Sequence, residues 1–152
     1  FNITGISEEV KAEFNLAWHK LDPWPDSVPG LWRLKAKHII APMSNGNIAL
    51  MTNMAKNAGL PWDCVLSAEL SGHYKPDAEV YEKAADLLSL PPHRIMMVAA
   101  HKGDLRAAQR VGFKAAWVPR PLEYGPSRTI DTTPDPEFDY SATDLIDLAA
   151  QL

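Results

Sequence analysis

Residues 95–104 read Ile-Met-Met-Val-Ala-Ala-His-Lys-Gly-Asp. Six apolar residues run unbroken from Ile95 to Ala100, and a short polar loop then ends in an acid. A strand that is apolar on both faces is buried on both faces. Such strands belong to parallel sheets covered by helices. Asp104 stands where a helix can begin, because a carboxylate suits the positive end of the helix dipole. The predicted helix, Asp104 to Val111, stops at Gly112.

The same alternation extends outward in both directions. Upstream, His38 to Met43 reads as a buried strand running into Ser44-Asn45-Gly46. Asn47 to Ala58 then carries Ile48, Met51, Met54, Ala55 and Ala58 on one helical face, with Gly59 as its stop. Cys64 to Ala68 is a second strand, and Asp77 to Ser89 is a helix opened by Pro76. Downstream, Ala115 to Val118 is a strand, a Pro-rich loop runs from Pro119 to about Glu137, and a last helix spans Asp144 to Leu152. Ser141 to Asp144 resembles a capping box at its start. At the other end, Ser7 to Leu21 reads as a helix capped by Ser7 and broken by Asp22-Pro23-Trp24-Pro25-Asp26. Val28 to Lys37 is a short helix. Trp18, Trp24 and Trp32 are expected in the core. Strands alternating with helices give an α/β protein with a parallel sheet and helices on both faces.

Composition narrows the function. The 152 residues carry 15 Lys+Arg against 19 Asp+Glu, a net charge of −4. That length suits one ordinary domain. Hydrophobic residues at 46% and charged residues at 22% argue against disorder. The mild acidity excludes the basic face that nucleic acid requires. No stretch approaches the ~20 apolar residues of a membrane helix. Neither nucleic acid nor membrane is therefore expected as a partner. No basic region followed by an apolar core opens the chain, so no signal peptide is read. Cys64 is the single cysteine, which excludes an intramolecular disulfide and a Cys-built metal site. It reads as a buried structural thiol. The absence of disulfides suits a cytoplasmic protein. His19, His38, His73, His93 and His101 show no H-x-x-x-H spacing, so no metal is expected.

Parallel sheets bind ligands at the carboxyl ends of their strands. The loops to inspect are residues 44–47, 71–77, 99–104 and 120–125. Ser44 and Asn45 offer a hydroxyl and an amide beside free helix N–H groups, which is an anion-binding corner; a helix cap explains Ser44 equally well. Lys75 precedes a helix start, where its charge opposes the dipole. Something acidic should compensate, and Asp104 follows a neighbouring strand. Tyr81 lies six residues beyond Lys75 and faces either the site or the core. His101 lies in the loop before Asp104.

Three motifs resemble one family. They are Ser44-Asn45-Gly46-Asn47, then Tyr74-Lys75-Pro76-Asp77 with Val80-Tyr81, then residues 97–104. The stretch from Phe113 to Pro126 and the closing residues 144–152 agree with them. The sequence resembles the haloacid dehalogenase superfamily, and within it the type II 2-haloacid dehalogenases. The resemblance implies a Rossmann-like parallel sheet with helices on both faces. It implies a hydrolytic reaction on a small 2-haloacid. An aspartate at the end of the first strand displaces halide and forms an ester, which water then hydrolyses. The implied catalytic residues are Lys75, Asp104 and Ser44, with Asn45, Tyr81 and His101 binding substrate. Lys75 would balance negative charge, held by Asp104. No cofactor is implied.

Departures from the family pattern sharpen the expectation. Related phosphatases place carboxylates for Mg²⁺ after this strand; here the matching positions are Ala99 and Ala100, which favours a metal-free site. Type II enzymes often have Ser and Asn where this chain has Ala99 and His101, and Trp where it has Gly103. No Asp-x-Asp-x-Thr-like segment precedes Ser44, and the chain starts at Phe1 rather than Met. Residues 1–26 are expected as a remnant of the helical cap, and 27–152 as an incomplete Rossmann-like core. The N-terminal strand, its nucleophile and most of the cap are expected to be missing, leaving unpaired strand edges, an apolar slot and a chain inactive alone. Two other readings stay open: a Mg-dependent phosphatase of the same superfamily, and a non-catalytic binding domain that forms a homodimer through the open sheet.

Overall fold

β3 (Met96–Ala99) pairs in parallel with β4 (Lys114–Trp117), and β4 pairs in parallel with β5 (Tyr140–Ser141). The computed structural model describes residues 5–152, so Phe1 lies outside the described residues. Successive side chains of β4 serve opposite cores. Ala115 and Trp117 join Tyr81, Leu105 and Phe113 on one side. Ala116 and Val118 join Ala142 and Leu148 on the other. Small residues along β4 let helices approach both faces, which is why the strand reads as a solid apolar run.

A second sheet is a pair, β1 (Met43–Ser44) with β2 (Leu66–Ser67), again parallel. Both strands are shorter than predicted. Pro42 has no N–H to give a ladder, and β1 has a partner on one flank only. Ala68 leaves the strand to start α4 (Ala68–Ser71), capped by the Ser67 hydroxyl, which accepts from the Glu69 amide at 3.1 Å. Gly72 closes that turn at φ +71°.

β1 and β3 do not pair with each other. Between them lies a cavity of about 650 Å³, lined by Ile40, Pro42 and Met43 on one side and Met96 to Ala100 on the other. This is the apolar slot the sequence implied. It divides one parallel architecture into two sheets.

The helices lie largely where periodicity puts them. α3 (Ile48–Ala58) is capped by Asn47, whose Oδ1 accepts from the Leu50 amide at 2.7 Å, and Gly59 ends it at φ +69°. α5 (Ala78–Leu88) starts at Asp77, and α6 (Lys102–Arg110) begins two residues earlier than predicted. α7 (Leu145–Gln151) corrects the expected box. Its cap is Asp144, which accepts from the Asp147 amide, while Asp147 reaches back to the Thr143 amide. The helix start is therefore built on Asp144 and Asp147, three residues later than Ser141–Asp144 suggested, and Asp147 bonds the amide before the cap and not that of the cap itself.

The N-terminal region departs more. α1 (Glu8–Asn15) continues as a 3₁₀ turn, Leu16–Lys20, and not as one helix to Leu21. Val10, Phe14 and Leu21, the stripe that predicted the helix, are exposed. So are the three tryptophans, with Trp18 at 58% and Trp32 at 56%. The expectation that they pack in the core is corrected. Amphipathic spacing shows a face that wants cover and does not say what provides it. Trp24 instead lies under the guanidinium of Arg120, 5.6 Å from its ring centroid.

α2 (Ser27–Lys35) packs on α7 across Gly30. At the same junction Asp26 joins three segments. Arg120 donates two hydrogen bonds to its carboxylate, at 2.8 and 2.9 Å, and the Leu145 amide donates a third at 2.9 Å. Burial pushes the Asp26 carboxyl up. The hydrogen bonds from Arg120 and Leu145 outweigh it and hold the group below the usual carboxylate range. A lowered folded-state pKa gives stability that is present above the unfolded value, near 3.8. That stability is lost as pH falls through the folded value. Asp26→Asn should therefore lower the midpoint of thermal unfolding at pH 7 and converge on the wild type in acid. Breaking such a buried pair costs about 3 kcal/mol. Thermal melts at pH 7 and below pH 3 check it, and an equal gap at both pH values sinks it.

Candidate active site

Three loops at the carboxyl ends of β1, β2 and β3 supply one cluster. Lys75, between α4 and α5, donates from Nζ to Oδ2 of Asp104 at 2.5 Å. Tyr81, on the first turn of α5, donates from its hydroxyl to Oδ1 of the same carboxylate at 2.6 Å. Lys75 and Asp104 side chains are 17% and 18% exposed, so the pair is sheltered but reachable. Asp104 lies in the first turn of α6, where the dipole favours its charge. This is the compensation that a lysine at a helix start demands.

Asn45 fixes the lysine from the other side. Its Oδ1 accepts from the Lys75 amide at 2.7 Å, and its Nδ2 donates to the Lys75 carbonyl at 3.2 Å. Both ends of the amide are thus committed to one backbone. The structure shows Asn45 bracing the Lys75 backbone, and one N–H of its amide has no partner among the described residues. Ser44 is not the cap of α3, a role that falls to Asn47. Its Oγ accepts from the Gly46 amide at 3.0 Å and holds the turn after β1. Gly46 itself is hemmed in by Leu50, Met51 and Ser44 Oγ, so a Cβ there would crowd the turn.

Tyr81 has no exposed surface. Burial first, and then the hydrogen bond to Asp104, raise its pKa well above the ordinary phenol value. The group stays protonated and can only donate to the carboxylate. Its ring meets Phe113 edge-on at 6.1 Å. Both readings of Tyr81 hold, since the ring is core and the hydroxyl is site. Tyr81→Phe should leave the fold intact, because the ring packing remains. It removes one hydrogen bond to a charged group, worth about 1.5–3 kcal/mol. In a complete protein that contains this cluster, turnover should fall by about 10- to 100-fold, and an unchanged rate with unchanged KM refutes the role.

His101 caps α6 through its backbone, with the Asp104 amide donating to its carbonyl at 3.1 Å. Its Nε2 meets the Glu123 carboxylate at 2.9 and 3.0 Å. Sequence reasoning missed Glu123. The Pro-rich loop was named as a place to look, but nothing in the local pattern pairs residues 101 and 123.

No carboxylate joins Asp104 from β3, since Ala99 and Ala100 occupy the positions before the loop. Among the described residues, His73, Asp77 and Glu79 come close enough to share an ion, all on the surface. Histidine spacing alone did not reveal that group. Cys64 is half-buried; burial first and then Asp63 raise its thiol pKa, consistent with an inert thiol.

A family model described as haloacid dehalogenase-like hydrolase matches residues 3–112. The (S)-2-haloacid dehalogenase 4A of Burkholderia cepacia is 34% identical over 121 residues, which cover 76% of this chain and 52% of that protein. A crystal structure of an L-2-haloacid dehalogenase superposes with a TM-score of 0.93 at 47% identity, covering 97% of this chain and 65% of that one. The L-2-haloacid dehalogenase of Xanthobacter autotrophicus, with chloropropionic acid covalently bound, superposes at 0.81 with 26% identity, covering 95% of this chain and 66% of that one. The chain spans about half the length of the curated relatives it matches.

Proposed function

The chain belongs to the haloacid dehalogenase-like hydrolases, and on that premise we propose that it forms the lysine-bearing part of a 2-haloacid dehalogenase. The observation that carries this reading is the Lys75–Asp104–Tyr81 cluster at the strand ends, set beside a slot between β1 and β3. A strand outside these 152 residues would enter that slot and bring the nucleophilic carboxylate to the cluster. Residues 5–26 would be the part of a cap that adjoins the core, and the exposed face of α1 would meet the rest of it.

The chemistry follows from charge. A carboxylate nucleophile and a carboxylate substrate repel each other, and the nucleophile's charge passes to the departing halide as the ester forms. An ammonium fixed at the meeting point offsets that repulsion without moving, which is the form of catalysis in which preorganised charge contributes most. Asn45 holds the Lys75 backbone and Asp104 holds its Nζ, leaving the remaining two N–H bonds of Nζ for substrate and nucleophile. Ser44, in the turn after β1, stands beside the slot and would contact the nucleophile.

Ala99 and Ala100 support a reaction without a metal, since a hard cation requires more oxygen ligands than Asp104 alone provides. The test is chloride release from 2-chloropropionate by the complete protein. Release is expected, and EDTA should leave its rate unchanged. Mg²⁺-dependent phosphate release from p-nitrophenyl phosphate, without chloride, would overturn the reading. This chain alone should release no chloride.

A further inference from the structure

We propose that Ser67 and Glu69 are positioning residues, which fasten the turn after β1 to the loop after β2 and so hold Ser44 in register with Lys75; the inference rests on the dehalogenase reading above. The strands cannot do this by themselves. β1 and β2 pair over two residues each, and Ser44 opposite Ser67 is the last pair of the ladder. Beyond that pair the backbone carries Asn45 on one side and, after α4, Lys75 on the other.

Side-chain bonds take over where the ladder stops. The Ser67 hydroxyl donates to the Gly46 carbonyl at 2.8 Å and accepts from the Glu69 amide at 3.1 Å. Ser67 is 5% exposed, and a hydroxyl buried to that degree requires partners. The Glu69 carboxylate accepts from the Ile48 amide at 2.7 Å. Ile48 is the first residue of α3, so its amide has no carbonyl to bind within the helix, and the positive end of the dipole favours a carboxylate there. Asn45 is the third fastening, with both ends of its amide on the Lys75 backbone. Residues 44–48 are thus held through the Gly46 carbonyl, the Ile48 amide and the Asn45 side chain, all by residues 67–75. That stretch is braced in turn, since Gly72 closes α4 and the Ser71 hydroxyl accepts from the His73 amide at 3.2 Å.

The consequence lies in the placing of charge. Asp104 fixes the Nζ end of Lys75, while the backbone from which that side chain extends is fixed by the frame that Ser67 and Glu69 build. Preorganised charge acts only while its position holds. A displacement of ~1 Å in such a site costs up to ~10²-fold in rate. Glu69 is exposed and bonds an amide, so its acceptor oxygen and not its charge carries the role.

Two measurements on the complete protein test this. In single-turnover chloride release from 2-chloropropionate, Glu69→Ala should slow the first turnover by about 10-fold, the scale of one lost hydrogen bond to a charged acceptor, and Ser67→Ala by at least as much. Glu69→Gln keeps an acceptor for the Ile48 amide and should stay within about 3-fold of wild type. Thermal melts establish that each variant is folded at the assay temperature. A wild-type first turnover in Glu69→Ala, whatever its melting midpoint, or a Glu69→Gln as slow as Glu69→Ala, overturns the positioning role. Where Ser67→Ala does not fold, the two variants at the exposed Glu69 decide. Hydrogen exchange gives a reading that needs no chemistry. Glu69→Ala should speed exchange of the Lys75 amide by about 10-fold and leave the Leu148 amide of α7 as in wild type. Unchanged exchange at Lys75 overturns the frame. Absence of chloride from the wild-type complete protein is a separate failure, since it removes the dehalogenase reading while the exchange result still decides the frame.

Discussion

Lys75→Met in the complete protein should reduce halide release by about 10³-fold or more, with little change in fold. One misplaced oxyanion donor already costs 10²- to 10³-fold in a preorganised site. Here the lost group is a full charge at the point where two anions converge. The substitution also strands Asp104, which is 18% exposed and keeps only the Tyr81 hydroxyl as a side-chain partner. Some stability will be lost for that reason alone. The double variant Lys75→Met/Asp104→Asn separates the two effects. It removes the stranded charge, so its thermal midpoint should recover toward wild type while its rate stays low. Chloride release and thermal melts on the same preparations decide it. A rate that recovers together with the midpoint would falsify the electrostatic role.

Gly30→Ala should be the most damaging small change to the fold. A Cβ at Gly30 would lie 2.5 Å from Leu145 Cβ and 2.7 Å from the Leu145 backbone carbon. A side chain can rotate away from a clash, but a backbone cannot. Relief requires α2 and α7 to separate, and the Asp26 hydrogen bond to the Leu145 amide spans the same junction. Overpacking costs about 1–3 kcal/mol, and the backbone contact places this site at the upper end. A fall in thermal midpoint of about 6–10 °C is expected for a chain of this size. Gly103→Ala is the control. Gly103 lies in α6, and a Cβ there meets nothing within 4 Å. It should leave stability unchanged or raise it by up to about 1 kcal/mol. Equal melts for the two variants would remove the close approach as the cause.

The parallel order, the helices and the site lysine with its acid were legible because they rest on local rules. Ile95–Ala100 is too uniformly apolar for a surface strand. Asn47 and Gly59 mark helix ends by their own chemistry, whereas the short helix that Gly72 closes went unread. Lys75 at a helix start needed an anion, and topology left Asp104 to supply it. Tertiary partners were not legible. Trp18 and Trp32 have core composition and exposed positions, because the sequence shows an apolar surface without its cover. β5 is two residues long and gives no period to read. Asn45 holds the Lys75 backbone through both amide groups, a contact between residues 30 apart. Glu123 lies 22 residues from His101, beyond the reach of any spacing rule.

The divided sheet has a consequence for handling the molecule. The facing edges of β1 and β3 carry amides and carbonyls arranged as templates for an extended segment. Such an edge pairs with whatever strand reaches it first. In concentrated solution that is another copy of the chain, so self-association should rise with concentration.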